Sequence, residues 1–186
     1  MTETLVRRDV DAGVLTLTLD SPKNRNALST TLVAQLNSGL IEAAENPDVR
    51  AVVLTHAGGT FCAGADLSAA LASGATPEEA SAQGAGAMVE LMRSMLELPK
   101  PVIARIDGHV RAGGFGLVSA ADIAIGGAAC TFALTESRLG LAPAIISLTV
   151  LPRLSSRSAS RYFLTGEKFG PEQAVEMGLL TAAADS

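Results

Sequence analysis

The chain has 186 residues, enough for one sizeable core and short for two domains. Hydrophobic residues make up 48% and charged ones 18%, the balance of a globular chain rather than a disordered one. Lysine and arginine total 14 against 19 aspartates and glutamates, and the net charge of −5 argues against a general grip on nucleic acid. No apolar run approaches the ~20 residues that cross a bilayer, and Met1-Thr2-Glu3-Thr4 lacks the basic flank and apolar stretch of a signal peptide. Cys62 and Cys130 are too few for a disulfide framework and lack metal-site spacing. These features predict an intracellular, cytoplasmic α/β protein forming one domain over 1–186. Neither a nucleic acid, a membrane nor a metal is expected as a partner.

The first strong pattern is Val14 to Leu19, where Leu15, Leu17 and Leu19 alternate with Thr as in a strand with one buried face. Turn formers follow from Ser21 to Asn26. Ser29 then suits the N-cap of a helix running to Glu45, with Leu32, Val33, Leu36, Leu40 and Ala44 on its inner face. Ala51 to Thr55 is a continuous apolar run, expected of a strand covered on both sides. The Gly-rich turn 57–60 leads into Phe61-Cys62-Ala63-Gly64-Ala65-Asp66-Leu67. Small residues from 69 to 86 suggest a mobile surface segment. Within it Thr76-Pro77-Glu78-Glu79 reads as a capping box, starting a helix that turns Met88, Leu91, Met92 and Met95 inward. Val102 to Ile106 predicts a strand, Gly108 to Gly116 a second glycine-bearing turn opening a short helix, and Asp122 to Ile125 and Thr131 to Leu134 two further strands. From Ala144 the pattern is helical, with Gly166 and Gly178 as stops. Repeated strand–helix alternation favours a layered α/β fold.

Two strand-to-helix junctions carry the chemical interest: Cys62-Ala63-Gly64-Ala65-Asp66 and Arg111-Ala112-Gly113-Gly114-Phe115. Small residues let a ligand approach the backbone, and a helix that begins there leaves N–H groups without partners. One such turn means little, because glycine usually serves the turn alone. Two together can aim two N–H groups at one carbonyl oxygen and stabilise an enolate.

Asn26-Ala27-Leu28, Phe61 to Leu67, Lys100-Pro101-Val102-Ile103-Ala104, Asp107-Gly108, Ala112-Gly113-Gly114 and Ala121-Asp122-Ile123 resemble, in order and spacing, the crotonase (enoyl-CoA hydratase/isomerase) superfamily. The resemblance runs from about Leu15 to Leu180. It implies a spiral of ββα turns over about 1–142 and a helical region over about 143–186. The implied substrate is an acyl-CoA thioester, with coenzyme A arriving as part of it and no separate cofactor. By position Ala65 and Gly113 would supply the oxyanion N–H groups and Glu136 the general acid/base. The Lys23-Asn24-Arg25-Asn26-Ala27 loop corresponds to the family's adenine and phosphate loop. Ala63 and the run Ala65-Asp66-Leu67-Ser68 would follow the pantetheine arm, with Gly114 beside the oxyanion glycine. Arg111 is a candidate for an acidic acyl group or a phosphate, and His109 for a missing acid or base, although an exposed loop pair or structural ion pair is the commoner use of both. Homo-oligomers, trimers or pairs of trimers, are also implied.

A buried glutamate has its pKa moved towards neutrality, which suits proton transfer. Phe132, Leu134, Leu139 and Leu141 are the apolar neighbours expected to do this for Glu136. Two departures stand out. Hydratases of this family carry a second glutamate three residues after the oxyanion glycine, where this chain has Gly116. Members also normally continue past the position of Ala182. The first reading is an enoyl-CoA hydratase. The absent second carboxylate raises a Δ3,Δ2-enoyl-CoA isomerase as the alternative, and a non-catalytic acyl-CoA-binding or assembly protein as a third. His56, Asp66 and Asp122 are expected to be mainly structural.

Overall fold

The Leu–Thr alternation forms β2 (Val14–Leu19), whose Leu15, Leu17 and Leu19 are fully buried in the computed structural model. The structure describes residues 3–66, 68, 74, 76, 79 and 84–184. Ahead of β2 runs an antiparallel partner, β1 (Val6–Asp11). Its sequence, Val-Arg-Arg-Asp-Val-Asp, shows no alternation because only Val6 is buried, so periodicity did not reveal it.

Ser29 caps α1 (Thr30–Glu45), its hydroxyl accepting from the Leu32 N–H. The helix buries Leu32, Val33, Leu36, Gly39, Leu40 and Ala43. Ala44, expected inside, is exposed, because after Leu40 the inner face continues at Ala43. Gly39 brings α1 close to the sheet: a Cβ there would stand 2.6 Å from Leu17 Cδ2. Lys100 ends the helix from outside, donating to the carbonyls of Ala43 and Asn46.

The chain then repeats one plan. β3 (Ala51–His56), β5 (Val102–Ile106) and β7 (Ile123–Gly127) add in parallel to the large sheet, which β9 (Ala182–Ala184) completes in the order β1-β2-β3-β5-β7-β9. Each is followed by a three-residue strand, β4 (Thr60–Cys62), β6 (His109–Arg111) or β8 (Thr131–Ala133), and these pair in parallel as a second sheet, β4-β6-β8. α2 (Ala85–Leu96) and α3 (Gly114–Ala120) complete the first two turns. The result is the expected ββα spiral. A 3-10 turn (Glu136–Leu139), α4 (Ala144–Val150), α5 (Ser156–Thr165), α6 (Pro171–Glu176) and β9 (Ala182–Ala184) follow.

Strands this short show little period: the sequence places His109–Arg111 within a turn and gives Phe61 and Cys62 no element, where the structure has β6 and β4. The expectation of full cover for β3 holds only on one face: Val52 and Leu54 are buried while Ala51 and Val53 are half-buried. β7 likewise exposes Ile123. α2 turns Met88, Leu91, Met92 and Met95 inward as expected, but begins at Ala85. Thr76 and Glu79 exchange the two hydrogen bonds of a capping box. The helix expected to start from it, and most of the segment 69–86, lie outside the described residues.

The C-terminal helices are fastened to the small sheet by aromatic packing. Phe132 of β8 and Phe169 exchange backbone hydrogen bonds and stack with centroids 5.4 Å apart. Phe115 and Tyr162 complete the cluster at 6.0 and 4.3 Å from Phe169. Gly166 ends α5 at φ +61, as its position predicted.

Candidate active site

The end of β4 passes beside the chain at Leu28. The Leu28 N–H donates to the Gly64 carbonyl at 2.8 Å and the Asp66 N–H to the Leu28 carbonyl at 3.3 Å, a one-residue parallel bridge opposite Ala65. That pairing uses the groups of residues 64 and 66, so the Ala65 N–H faces the other way. It faces the end of β6. There Ala112 sits at φ +46, an uncommon backbone for a residue with a Cβ, and Gly113 forms the N-cap of α3. A Cβ on Gly113 would stand 3.6 Å from the Ala65 nitrogen, and one on Gly64 3.3 Å from the Gly113 nitrogen. Neither N–H donates to another group among the described residues. Two neighbouring, unspent amide donors are what a developing oxyanion requires.

The loop at 21–27 is bound to this junction. Asn26 is fully buried and left-handed (φ +52), a backbone asparagine tolerates. Its side chain accepts from the Ser21 N–H at 2.7 Å and donates to the carbonyls of Ala57 and Thr60 at 3.1 and 2.7 Å. The Ala63 N–H donates to the Arg25 carbonyl at 3.1 Å. Asn24 reaches across to donate to Asp66 Oδ2 at 2.8 Å, while Ser68 donates to Oδ1 from both its N–H and its hydroxyl. The Ser68 hydroxyl is the largest reason the Asp66 carboxyl titrates below its usual range. Lys23 and Arg25 extend into solvent. Asn24, Arg25, Ala63, Ala65, Asp66, Ser68 and Gly113 therefore gather at one place.

Other expected residues stand differently. Ala27 is buried and spends its N–H on the Asn24 carbonyl and its carbonyl on the Ser29 N–H. Gly114 is packed: a Cβ would meet Cys62 Cβ at 2.9 Å. Leu67 lies outside the described residues. Arg111 is turned to the protein rather than to a ligand, donating to the carbonyls of Val110 and Thr131 and to the Thr131 hydroxyl at 2.8, 2.6 and 2.8 Å. It joins β6 to β8. His109 Nδ1 lies 2.8 Å from the same hydroxyl. His56 accepts the Asp107 N–H, and burial lowers its pKa. Burial raises the Cys62 thiol to about 12, so it behaves as a core residue.

Glu136 opens the 3-10 turn after β8, closed by the Leu141 N–H donating back to the Glu136 carbonyl. Its Oε2 is buried with no hydrogen-bond partner among the described residues, and desolvation raises its pKa. Phe132 and Leu134 are buried nearby in sequence, but Leu139 is 64% exposed and cannot supply the apolar cover expected of it. Glu136 makes no ion pair among the described residues. At Gly116 a Cβ would meet Met88 Cε at 2.7 Å, Met92 Sδ at 2.8 Å and Ile146 Cγ2 at 3.0 Å. The missing side chain is thus replaced by neighbours from two other helices, which no local pattern reveals.

No helix among the described residues is long and apolar enough to cross a membrane. The family model for enoyl-CoA hydratase/isomerase matches residues 9–185. A solved putative enoyl-CoA hydratase from Mycobacterium avium paratuberculosis shares 56% identity with a TM-score of 0.89, over 98% of this chain and 71% of that one. The 1,2-epoxyphenylacetyl-CoA isomerase of Escherichia coli is 34% identical over 95% of this chain and 68% of its own length. A probable enoyl-CoA hydratase of Mycobacterium tuberculosis is 36% identical over the same shares, 95% and 68%. The chain spans about two thirds of the length of these curated relatives. With its ββα spiral and these matches along nearly its whole length, the chain belongs to the enoyl-CoA hydratase/isomerase family.

Proposed function

We propose that this protein hydrates 2-enoyl-CoA thioesters, with Glu136 as the proton carrier and the Ala65 and Gly113 N–H groups holding the thioester oxygen. The observation that carries this reading is the pair of unspent amides set side by side by Gly64 and Gly113. The thioester carbonyl makes the β-carbon electrophilic and lets negative charge collect on oxygen as a nucleophile adds. Two N–H donors stabilise that charge, and losing one of a pair typically costs about 3 kcal/mol of barrier. Glu136 as carboxylate takes a proton from water while the water oxygen bonds to the β-carbon. As the enolate collapses, the same carboxyl returns a proton to the α-carbon, so one acid completes the addition. Its buried, unpartnered oxygen and raised pKa support that double duty. Lys23 and Arg25, exposed on the adjoining loop, suit the CoA phosphates. The solved relative at 56% identity, a putative enoyl-CoA hydratase, and the tuberculosis homologue, a probable enoyl-CoA hydratase, support this direction.

Gly116 favours a second reading. With Met88, Met92 and Ile146 over that position, no second carboxylate stands there to hold the attacking water. A single acid suffices to move a proton between two carbons, the task of a Δ3,Δ2-enoyl-CoA isomerase. Product analysis separates the two. Hydration of a 2-enoyl-CoA removes the conjugated absorbance and yields a 3-hydroxyacyl-CoA, whereas a 3-enoyl-CoA offered to an isomerase gains that absorbance without a hydroxyacyl product. Glu136→Gln is expected to abolish either activity. Absence of turnover on both substrate types across chain lengths would overturn the proposal.

A further inference from the structure

The turn that carries Glu136 is closed by its own backbone. The Arg138 N–H donates to the Thr135 carbonyl at 3.1 Å, the Gly140 N–H to the Ser137 carbonyl at 3.3 Å and the Leu141 N–H to the Glu136 carbonyl at 3.0 Å. None of these bonds fixes the turn against another element. Its side chains do not do so either: Glu136 Oε2 and the Ser137 hydroxyl are buried without partners among the described residues, and neither Glu136 nor Arg138 belongs to an ion pair there. Packing remains. Gly166, the buried C-cap of α5, lies against the turn, and a Cβ on it would stand 2.9 Å from the Leu134 carbonyl oxygen and 3.1 Å from both the Ser137 hydroxyl and Arg138 Nε. Those three residues bracket Glu136. Three positions further on, Phe169 ties the same segment to β8 through the two 3.0 Å backbone bonds it exchanges with Phe132.

We propose that Gly166 is a positioning residue for Glu136: its missing side chain lets the end of α5 dock on the 3-10 turn and hold the carboxyl in its buried place. This rests on the reading of Glu136 as the proton carrier. Gly166 acts only through residues 134–138. A side chain there collides first with backbone, at Leu134, which cannot swing aside as the end of a flexible side chain does. Either α5 or the turn must then move. α5 is anchored by Tyr162 and Phe169, whose rings lie 4.3 Å apart in the aromatic cluster, whereas the turn is bonded only to itself, so the turn yields. A shift of about 1 Å in a reacting group can cost about 10²-fold in rate, and it would also let water reach a carboxyl that burial now holds above its usual range.

The test uses the full chain and the pH profile of kcat/KM on whichever of the two thioester substrates above is turned over, at a temperature where thermal melts show each variant folded. Gly166→Ala and Gly166→Asn both add the Cβ, and asparagine tolerates the left-handed backbone at φ +61. Each is expected to lower kcat by about 10–100-fold with KM within about twofold, because the loop at 23–27 is untouched. In each, the acid limb of kcat/KM should move down towards the ordinary glutamate value of 4.5. Gly140→Ala is the control: Gly140 ends the same turn at φ +70, yet a Cβ there meets nothing within 4 Å, so the backbone is strained without a collision and the limb should stay where the parent has it. Phe169→Leu adds no collision but loosens the anchor of the docked segment, and should move the limb the same way by less. A limb at the parent's position in whichever of the Gly166 and Phe169 variants fold, or one moved as far by Gly140→Ala, overturns the proposal. An unmodified protein without turnover, or a Glu136→Gln variant that keeps it, removes the proton-carrier reading instead, a different result.

Discussion

Asn24 and Asp66, 42 residues apart in sequence, are joined by a 2.8 Å hydrogen bond that clasps two loops across the candidate active site. Asp66 follows Ala65 directly, and its N–H completes the bridge to Leu28, so the clasp and the orientation of the Ala65 amide are coupled. It is partly exposed, which limits its worth to about 1 kcal/mol. Asn24→Ala is expected to raise KM for acyl-CoA several-fold and leave kcat within about twofold, because the loops lose order while the acid stays in place. Steady-state kinetics on the variant check this; a large loss of kcat at constant KM would contradict it.

The clasp also has a pH signature. The Asp66 carboxyl, held low chiefly by the Ser68 hydroxyl, titrates below its ordinary value of 3.8. The folded state then binds the proton more weakly than the unfolded chain, so this contribution is complete above the unfolded value and disappears as pH falls through the lower folded one. Thermal melts at stepped pH should show Asp66→Asn and the parent protein converging in stability below that window.

Glu136 has the opposite sign. Burial raises its pKa above the ordinary 4.5, so the folded protein holds the proton more tightly than the unfolded chain. Stability therefore falls as pH rises from the unfolded value through the raised folded one, and the desolvation penalty is fully present above both. Glu136→Gln removes the ionisation in nearly the same shape. Its expected result is a Tm at neutral pH equal to or above that of the parent together with loss of turnover, the trade-off of a strained functional group. The lower limb of the kcat profile should also stand above the usual glutamate range. A clear fall in Tm would mean that Glu136 is held by interactions the folded state requires.

Much of this arrangement is legible from residues in sequence, and the illegible part has a physical pattern. Leu15, Leu17 and Leu19 announce a strand because one face is dry and the other wet, and Ser29 announces a helix because its hydroxyl closes an open turn. The motifs around Gly64 and Gly113 mark the two junctions whose Ala65 and Gly113 nitrogens the fold sets side by side. Contacts made across the spiral left no local trace. Arg111 looks like a free cation beside a glycine loop, yet Thr131, contributed by the next turn, takes up its donors. Leu139 looks like cover for Glu136, yet the 3-10 turn directs it outward. Asn26 reads as one more polar residue of the turn, yet its side chain is buried with partners in Ser21, Ala57 and Thr60. Its occurrence in a turn-rich run beside a hydrophobic segment was the one available signal.

Arg111 yields a prediction that separates strand clamping from ligand binding. Burial lowers its pKa, and its donors serve the β6–β8 seam. Arg111→Ala leaves the Thr131 carbonyl and hydroxyl without these donors and is expected to lower stability by about 1–3 kcal/mol. Affinity for CoA, measured by calorimetry at a temperature where the variant is folded, should stay within about threefold of the parent. A selective loss of CoA affinity at unchanged stability would restore Arg111 to the binding site.

Gly64 is the position where fold and chemistry are least separable. It sits at φ +97, and a Cβ would stand 2.6 Å from Ala112 Cβ and 3.3 Å from the Gly113 nitrogen. Ala112 is itself at φ +46, so neither partner can retreat by relaxing into an easier backbone without turning the peptide that carries the Gly113 N–H. Gly64→Ala therefore meets two penalties. The left-handed backbone costs roughly 1–2 kcal/mol in stability, and the displaced amide costs about 10²–10³ in kcat, the usual effect of losing one oxyanion donor. The second effect should exceed what the loss of folded protein accounts for, which chemical denaturation and kinetics on the same preparation together determine. Ala112→Gly provides the converse: it removes the methyl that Gly64 faces and suits the positive φ, so it is expected to keep activity and, in combination with Gly64→Ala, to recover part of the lost kcat. If the double variant is no faster than Gly64→Ala alone, the contact between residues 64 and 112 is not what places the Gly113 amide.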